Sequence, residues 1–143
     1  MKNENDVNKH YVLDTSAYFT LFEDEEGSDT VQNILEQAKV GDAIVFTSFV
    51  SFTEVFYITF REEDEDSAVN RINLMSKLEI ERVESSKELG LIAGRLKANN
   101  RISFADSWIA ATAKSYDATL VHKDPEFDQL KEEIKLLHLP YKK

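Results

Sequence analysis

Apolar and polar positions follow two different periods along the chain. Short apolar or β-branched runs stand at Tyr11 to Leu13, Ala43 to Phe46, Glu79 to Val83, Ala118 to Val121 and Lys135 to Leu137, each of strand length. Between them, apolar residues recur three or four positions apart, which predicts helices near 16–22, 28–39, 49–62, 66–77, 86–99 and 103–116, with a short helical turn at 125–131. Strand, helix, helix occurs three times in succession, followed by strand, helix, strand. That order predicts an α/β fold: one domain with a central parallel sheet of about five strands sandwiched between helices. Residues 1–9 are polar and carry no apolar core of a leader, so they read as a flexible N-terminal tail ahead of a domain at 10–143.

One stretch tests this reading. Ala43 to Phe60 runs for 18 residues with a single charge, Glu54, which is the length of a membrane span. Thr47, Ser48, Ser51, Thr53 and Thr59 interrupt it, and Ser48 suits a helix N-cap, so a strand followed by a buried helix is expected and no span. Glu54 then sits among Phe49, Phe52, Phe56 and Phe60, where an unpaired carboxylate is costly. It needs a partner or a cleft.

Composition removes several chemistries. With 143 residues, 42% of them hydrophobic and including nine Phe and five Tyr, the chain has material for one good core. It has no cysteine, which excludes disulfides and thiolate-bound zinc, and His10, His122 and His138 have no zinc spacing. A metal would need oxygen ligands. Gly27, Gly41, Gly90 and Gly94 make no phosphate-cradling loop. The formal charge of −10 argues at first against nucleic acid, but its distribution alters that. Ten of the 27 acidic residues fall in two patches, Glu23 to Glu26 with Asp29 and Glu62 to Asp66, which leaves 17 against 17 Lys plus Arg elsewhere. Both patches lie at expected helix ends and read as solvated loops.

Three further acids occupy positions comparable to Glu54. Asp14 ends the first apolar run and precedes Thr15 and Ser16; Asp106 completes a Ser103-x-x-Asp106 capping box; Asp124 stands before Pro125 as an N-cap would. Taken singly, each is explained by capping. Taken together, Asp14 and Asp124 leave strands at the carboxyl edge of a parallel sheet, where clefts form. If all four carboxylates converge, their repulsion calls for a cation, and oxygen-only ligation selects Mg2+ or Mn2+.

These residues resemble the PIN-domain ribonucleases, and among them the VapC-type toxins of prokaryotic toxin–antitoxin pairs. The resemblance runs from about Tyr11 to Leu137 and is carried by "YVLDTSAYFTLF" with Asp14, "TSFVSFTEVFYI" with Glu54, "ISFADSWIAATAKSYDATLV" with Asp106 and "HKDPEFDQL" with Asp124. It implies a metal-dependent endoribonuclease in which Asp14, Asp106 and Asp124 hold Mg2+ or Mn2+ and Glu54 ligates or orients the attacking water. Ser16, beside Thr15, matches the family's polar position and orients a carboxylate or a substrate phosphate. Two positions depart from the pattern. His122 stands where the family often has Thr or Ser, and Glu126 replaces the second acid of the usual D-x-D-F turn. The resemblance also implies a cytoplasmic protein, a homodimer, an RNA substrate and a small antitoxin with a basic side chain for the acids. Phe19, Phe22, Phe56 and Phe60 are candidates to line the antitoxin's groove. Arg95, Lys97, Arg101 and Lys123 are candidates to meet the RNA backbone. The rival expectation is a catalytically inactive PIN-like binding or scaffold protein, in which the acids serve only as caps.

Overall fold

A computed structural model describes residues 9 to 140. Five strands, β1 (Lys9–Leu13), β2 (Ala43–Ser48), β3 (Glu81–Val83), β4 (Thr119–His122) and β5 (Leu136–His138), form one sheet in the order β3-β2-β1-β4-β5. Every pairing is parallel: Val12 lies opposite Phe46 on β2 and Leu120 on β4. Six α-helices fill the connections: α1 (Thr15–Phe22), α2 (Ser28–Lys39), α3 (Phe49–Glu62), α4 (Glu65–Lys77), α5 (Lys87–Asn99) and α6 (Phe104–Ser115). A 3-10 helix at Pro125–Leu130 joins β4 to β5.

Both sheet faces are covered, as apolar parallel strands require. Tyr11, Leu13, Val45 and Val121 point to one side, where Ala17, Tyr18, Val31, Ile34, Val55 and Met75 of α1 to α4 meet them. Val12, Phe46 and Leu120 point to the other, against Leu89, Ala93 and Leu96 of α5 and the buried face of α6. Ile109, Ala110, Ala111, Thr112 and Ala113 of α6 are all buried, so this helix is enclosed nearly all round, and its small side chains allow a close approach to the sheet. Tyr18, fully buried, bonds through its hydroxyl to Thr47 and so ties α1 to β2.

Most boundaries fall within two residues of those the sequence predicts. β3 is shorter than the expected 79–83, because a tight bond from Ile80 N–H to Leu78 C=O makes Leu78 to Ile80 a turn. The turn after Asp124 is a 3-10 helix. Residues 1–8 of the expected tail lie outside the described residues, and Lys9 already belongs to β1. The doubtful apolar stretch divides into β2 and α3 with Ser48 capping the helix through Val50 N–H, and among the described residues no helix is long and apolar enough to cross a membrane.

Strand order fixes the location of the cleft. The chain winds outward from β1 through β2 to β3, then returns to lay β4 and β5 on the other side of β1. The order therefore reverses between β1 and β4, and the crevice beyond their carboxyl ends is where open α/β sheets bind ligands.

Candidate functional site

Asp14 follows the last residue of β1 and is 3% exposed. Its backbone N–H donates to Val121 C=O (3.0 Å), which extends the β1–β4 ladder to the residue itself. One carboxylate oxygen, Oδ2, caps α1 by accepting from Ser16 N–H (3.0 Å) and also accepts from the Ser16 hydroxyl. The same hydroxyl oxygen accepts from Lys123 N–H (2.9 Å), so Ser16 pins the exits of β1 and β4 together. The other oxygen, Oδ1, is buried with no hydrogen-bond partner among the described residues. Burial pushes the Asp14 pKa up to about 6; the Ser16 bonds oppose the rise, and the charges of Glu54 and Asp124 add to it.

Glu54 reaches this cleft from α3. Thr15 Oγ1 donates to Glu54 Oε1 (2.7 Å), and the same hydroxyl is bonded to Ser51 Oγ (2.9 Å), so the start of α1 holds the carboxylate from across the cleft. Burial raises the Glu54 pKa, and the Thr15 bond partly offsets it. Asp106 projects from the first turn of α6, whose cap is the predicted one: Ser103 Oγ accepts from Asp106 N–H (3.1 Å). Asp124 caps the 3-10 helix through Glu126 N–H (2.9 Å). Burial holds Asp106 well above the usual carboxylate range. A hydrogen bond shared with Glu126 and the charges of Asp14, Asp124 and Glu126 act in the same direction.

Asp14 thus feels the charges of Glu54 and Asp124, and Asp106 those of Asp14 and Asp124; of these four predicted acids, Asp14 and Asp124 also serve as caps. At Asp14 and Asp124 a helix start follows directly on a strand exit, so a capping carboxylate also stands at the cleft. A fifth acid joins them. One ligand atom each from Asp106, Asp124 and Glu126 lies within 4.8 Å of the others. Glu126 counts in the sequence only as a substitution in a turn. The signal that finds it is spacing, since an Asp-Pro-Glu start to a tight helix places both carboxylates on the side of the N-cap.

The supporting residues divide. Thr15 and Ser16 position carboxylates. His122 is fully buried beneath the cleft: its Nδ1 accepts from Asp124 N–H (3.2 Å), and its ring packs against Phe127 and His138. Burial, reinforced by His138, lowers its pKa, so a neutral ring holds the Asp124 backbone. Of the four cations expected to meet RNA, two are engaged elsewhere: Lys123 Nζ donates to Glu25 Oε1 (3.3 Å) and Glu26 C=O (3.0 Å), and Lys97 Nζ donates to Ile102 C=O (2.8 Å). Arg101 is exposed at the rim, its backbone clasped by Gln129, which also bonds Glu126 C=O. Arg95 is exposed on α5. Phe19 and Phe22 are partly buried beneath the Arg71 guanidinium, Phe56 packs on Phe60 with centroids 6.0 Å apart, and Phe60 is exposed.

The donor set fits a divalent cation. It consists of carboxylate oxygens only, at least two of its members are pushed toward protonation when no counter-charge is present, and the buried Asp14 Oδ1 lacks the partner that a cation provides.

Comparisons with known proteins bear on the fold and the family. No curated protein matches the chain by sequence. Among solved structures, the chain is similar to VapBC2 from Rickettsia felis bound to a promoter DNA fragment (TM-score 0.75, 20% identity, 92% of this chain and 99% of that one). It is also similar to DNA-bound VapBC from Salmonella typhimurium (TM-score 0.72, 16% identity, 92% and 98%). A third match is VapC20 from Mycobacterium tuberculosis, a toxin that cleaves the sarcin-ricin loop (TM-score 0.66, 15% identity, 83% and 93%). At these identities the likeness establishes the fold. The family assignment comes from the PIN domain model, which matches residues 11–133 and so takes in all five converging acids: the chain belongs to the PIN-domain family.

Proposed function

We propose that the chain is a divalent-metal-dependent endoribonuclease, the toxin of a toxin–antitoxin pair, acting in the cytoplasm. The observation that carries this reading is the Asp14 carboxylate, buried at the switch point with one oxygen unpartnered and four more acids around it. Asp14, Asp106 and Asp124 hold Mg2+ or Mn2+, and Glu126 joins them. A cation so held lowers the pKa of water, supplies a nucleophile near neutral pH and neutralises charge that develops on phosphoryl oxygens. Glu54, steered by Thr15, orients the attacking water. Ser16 keeps Asp14 in register with the β4 exit, and Arg101 at the rim meets the RNA backbone. The antitoxin places a basic side chain among the acids, which explains how so negative a cleft is silenced, and the toxin acts as a homodimer.

Cleavage of RNA by the purified chain, with chelator and with millimolar Mg2+ or Mn2+, tests this. Asp14→Asn is expected to abolish cleavage while the protein remains folded. Full activity in that variant, or equal cleavage under chelator, refutes the assignment and favours the inactive binding or scaffold reading.

A further inference from the structure

Three of the acids crowd one corner of the cleft, and they arrive on two separate segments. Asp106 comes from the first turn of α6, just after the loop that joins it to α5, whereas Asp124 and Glu126 come from the start of the 3-10 helix after β4. One ligand atom from each lies within 4.8 Å of the others. Like charges that close push the two segments apart when no cation stands between them. Their spacing therefore has to be set by groups outside the cluster.

The 3-10 helix is fixed from below, since His122 Nδ1 accepts from Asp124 N–H (3.2 Å) and Phe127 and Leu130 are fully buried. The loop is held differently. Residues 100–103 belong to no helix or strand, so their backbone groups turn to side chains. Lys97 Nζ donates to Ile102 C=O (2.8 Å), and Ser103 caps α6. Arg101 takes both of its backbone bonds from one residue. Gln129 Oε1 accepts from Arg101 N–H (2.8 Å) and Gln129 Nε2 donates to Arg101 C=O (3.1 Å), as the opposite residue of an antiparallel pair does. The same Nε2 donates to Glu126 C=O (2.8 Å). Gln129 and Glu126 are three residues apart, one turn of a 3-10 helix, so their side chains stand in line. One amide, with both hydrogens and its oxygen engaged, thus spans the segment of Asp106 and the segment of Glu126.

We propose that Gln129 is a positioning residue for the cation site: it keeps the loop ahead of Asp106 in register with the turn that carries Asp124 and Glu126, so that the three carboxylates are set before the ion arrives. The inference rests on the metal-dependent nuclease reading of the acids. Apolar contact alone does not fix that register. Ile102, Phe127 and Leu130 lie in one buried cluster, but hydrophobic attraction is non-directional and tolerates a slide of one segment along the other. Paired bonds to the N–H and C=O of a single residue do not tolerate it, because each weakens steeply as its angle closes. A neutral amide provides them without adding negative charge to the cleft. Ligands held in their bound arrangement beforehand bind more tightly, since less ordering is left to do on binding.

The experiment titrates the full-length protein with Mn2+ alone, without RNA, and follows the paramagnetic resonance signal of the free ion. Gln129→Met keeps the length and neutrality of the side chain and removes all three bonds. It is expected to raise the Mn2+ dissociation constant about 10-fold, the lower end of the range for residues that support ligands from behind. RNA cleavage at saturating Mn2+ is expected to match wild type, since every ligand is still present. Gln129 is exposed, so the variant should melt within about 2 °C of wild type in chelator. Gln32→Met makes the same substitution on α2, where the amide bonds Ser28, and should leave Mn2+ affinity unchanged. Equal loss of affinity in Gln32→Met overturns the proposal. So does a lowered melting temperature in Gln129→Met with Mn2+ affinity retained, because the amide then serves stability alone. If wild type itself binds no Mn2+, the cation site is misassigned and the positioning role falls with it; if wild type binds Mn2+ and Gln129→Met binds it equally well, only the positioning role fails.

Discussion

Replacing Asp14 by Asn is expected to stabilise the metal-free protein near neutral pH. The carboxyl is 3% exposed, and its pKa is pushed up from 3.8 to about 6 by burial, against the pull of Ser16, with Glu54 and Asp124 adding to the rise. A folded-state value above the unfolded one means that the folded protein binds the proton more tightly. Its contribution is fully present below about pH 4 and is lost as pH rises through about 6. At about 1.4 kcal/mol per tenfold change in proton affinity, the loss amounts to about 3 kcal/mol by pH 7.5. Asn carries no charge and caps a helix as well as Asp does, so the bond from Ser16 N–H survives. For 143 residues at about 2.1 cal/mol/K each, the unfolding entropy is about 0.3 kcal/mol/K, so the variant should melt about 10 °C higher in chelator at pH 7.5. The gap should close by pH 4. Metal works in the opposite direction. If the variant binds none, wild type overtakes it only when free ion exceeds roughly 160 times its dissociation constant. Thermal melts at pH 4 and pH 7.5, each with chelator and with millimolar Mn2+, measure all four corners. A variant that melts lower than wild type in chelator at pH 7.5, or a gap that ignores pH, refutes the electrostatic account.

Two further outcomes follow from the surroundings of the site. Glu126→Gln removes one of the three acids with ligand atoms within 4.8 Å of one another, so a higher metal concentration should be needed for half-maximal cleavage, read from a Mn2+ titration of activity. A midpoint equal to wild type removes Glu126 from the site. Tyr18→Phe deletes a fully buried hydroxyl and leaves Thr47 without it, at a cost of about 1 to 3 kcal/mol, while RNA cleavage persists at saturating metal. An unchanged melting temperature shows that the bond contributes nothing to stability.

The elements were legible in the sequence because period and capping agreed at every boundary that matters to the site. Ser48, Ser86 and Ser103 each cap the helix that follows, and Asp14 and Asp124 do the same at strand exits. Strand order was not legible, since local pattern says nothing about which strand returns to β1. Long side chains were the other blind spot. Lys123 reads as a free cation, yet it reaches back about 100 positions in sequence to Glu25. The two acidic patches read as separate solvated ends, yet Glu23 and Glu63 meet at one guanidinium: Arg71 lies 3.4 Å from the first and 3.2 Å from the second, and bonds Thr59 as well. Exposed Asp24, Glu26 and Asp66 fit the simple expectation. Glu126 reads in the sequence only as a substitution in a turn, because its place beside Asp106 and Asp124 depends on the 3-10 geometry of that turn.

The Ser16–Lys123 bond spans 107 positions of sequence, and the cleft it closes draws on residues from Asp14 to Glu126. During synthesis, β1 leaves the ribosome ahead of the other strands and lacks its β4 neighbour until more than 100 further residues have been made. At about 5 to 20 residues per second, that interval lasts roughly 5 to 20 s. Throughout it, Asp14 has neither Asp106 nor Asp124 beside it, so the nascent chain cannot assemble the carboxylate cluster. A cell making this protein therefore meets a complete cleft only after the 3-10 helix has been made, and any partner that covers the acids has those seconds in which to be present first.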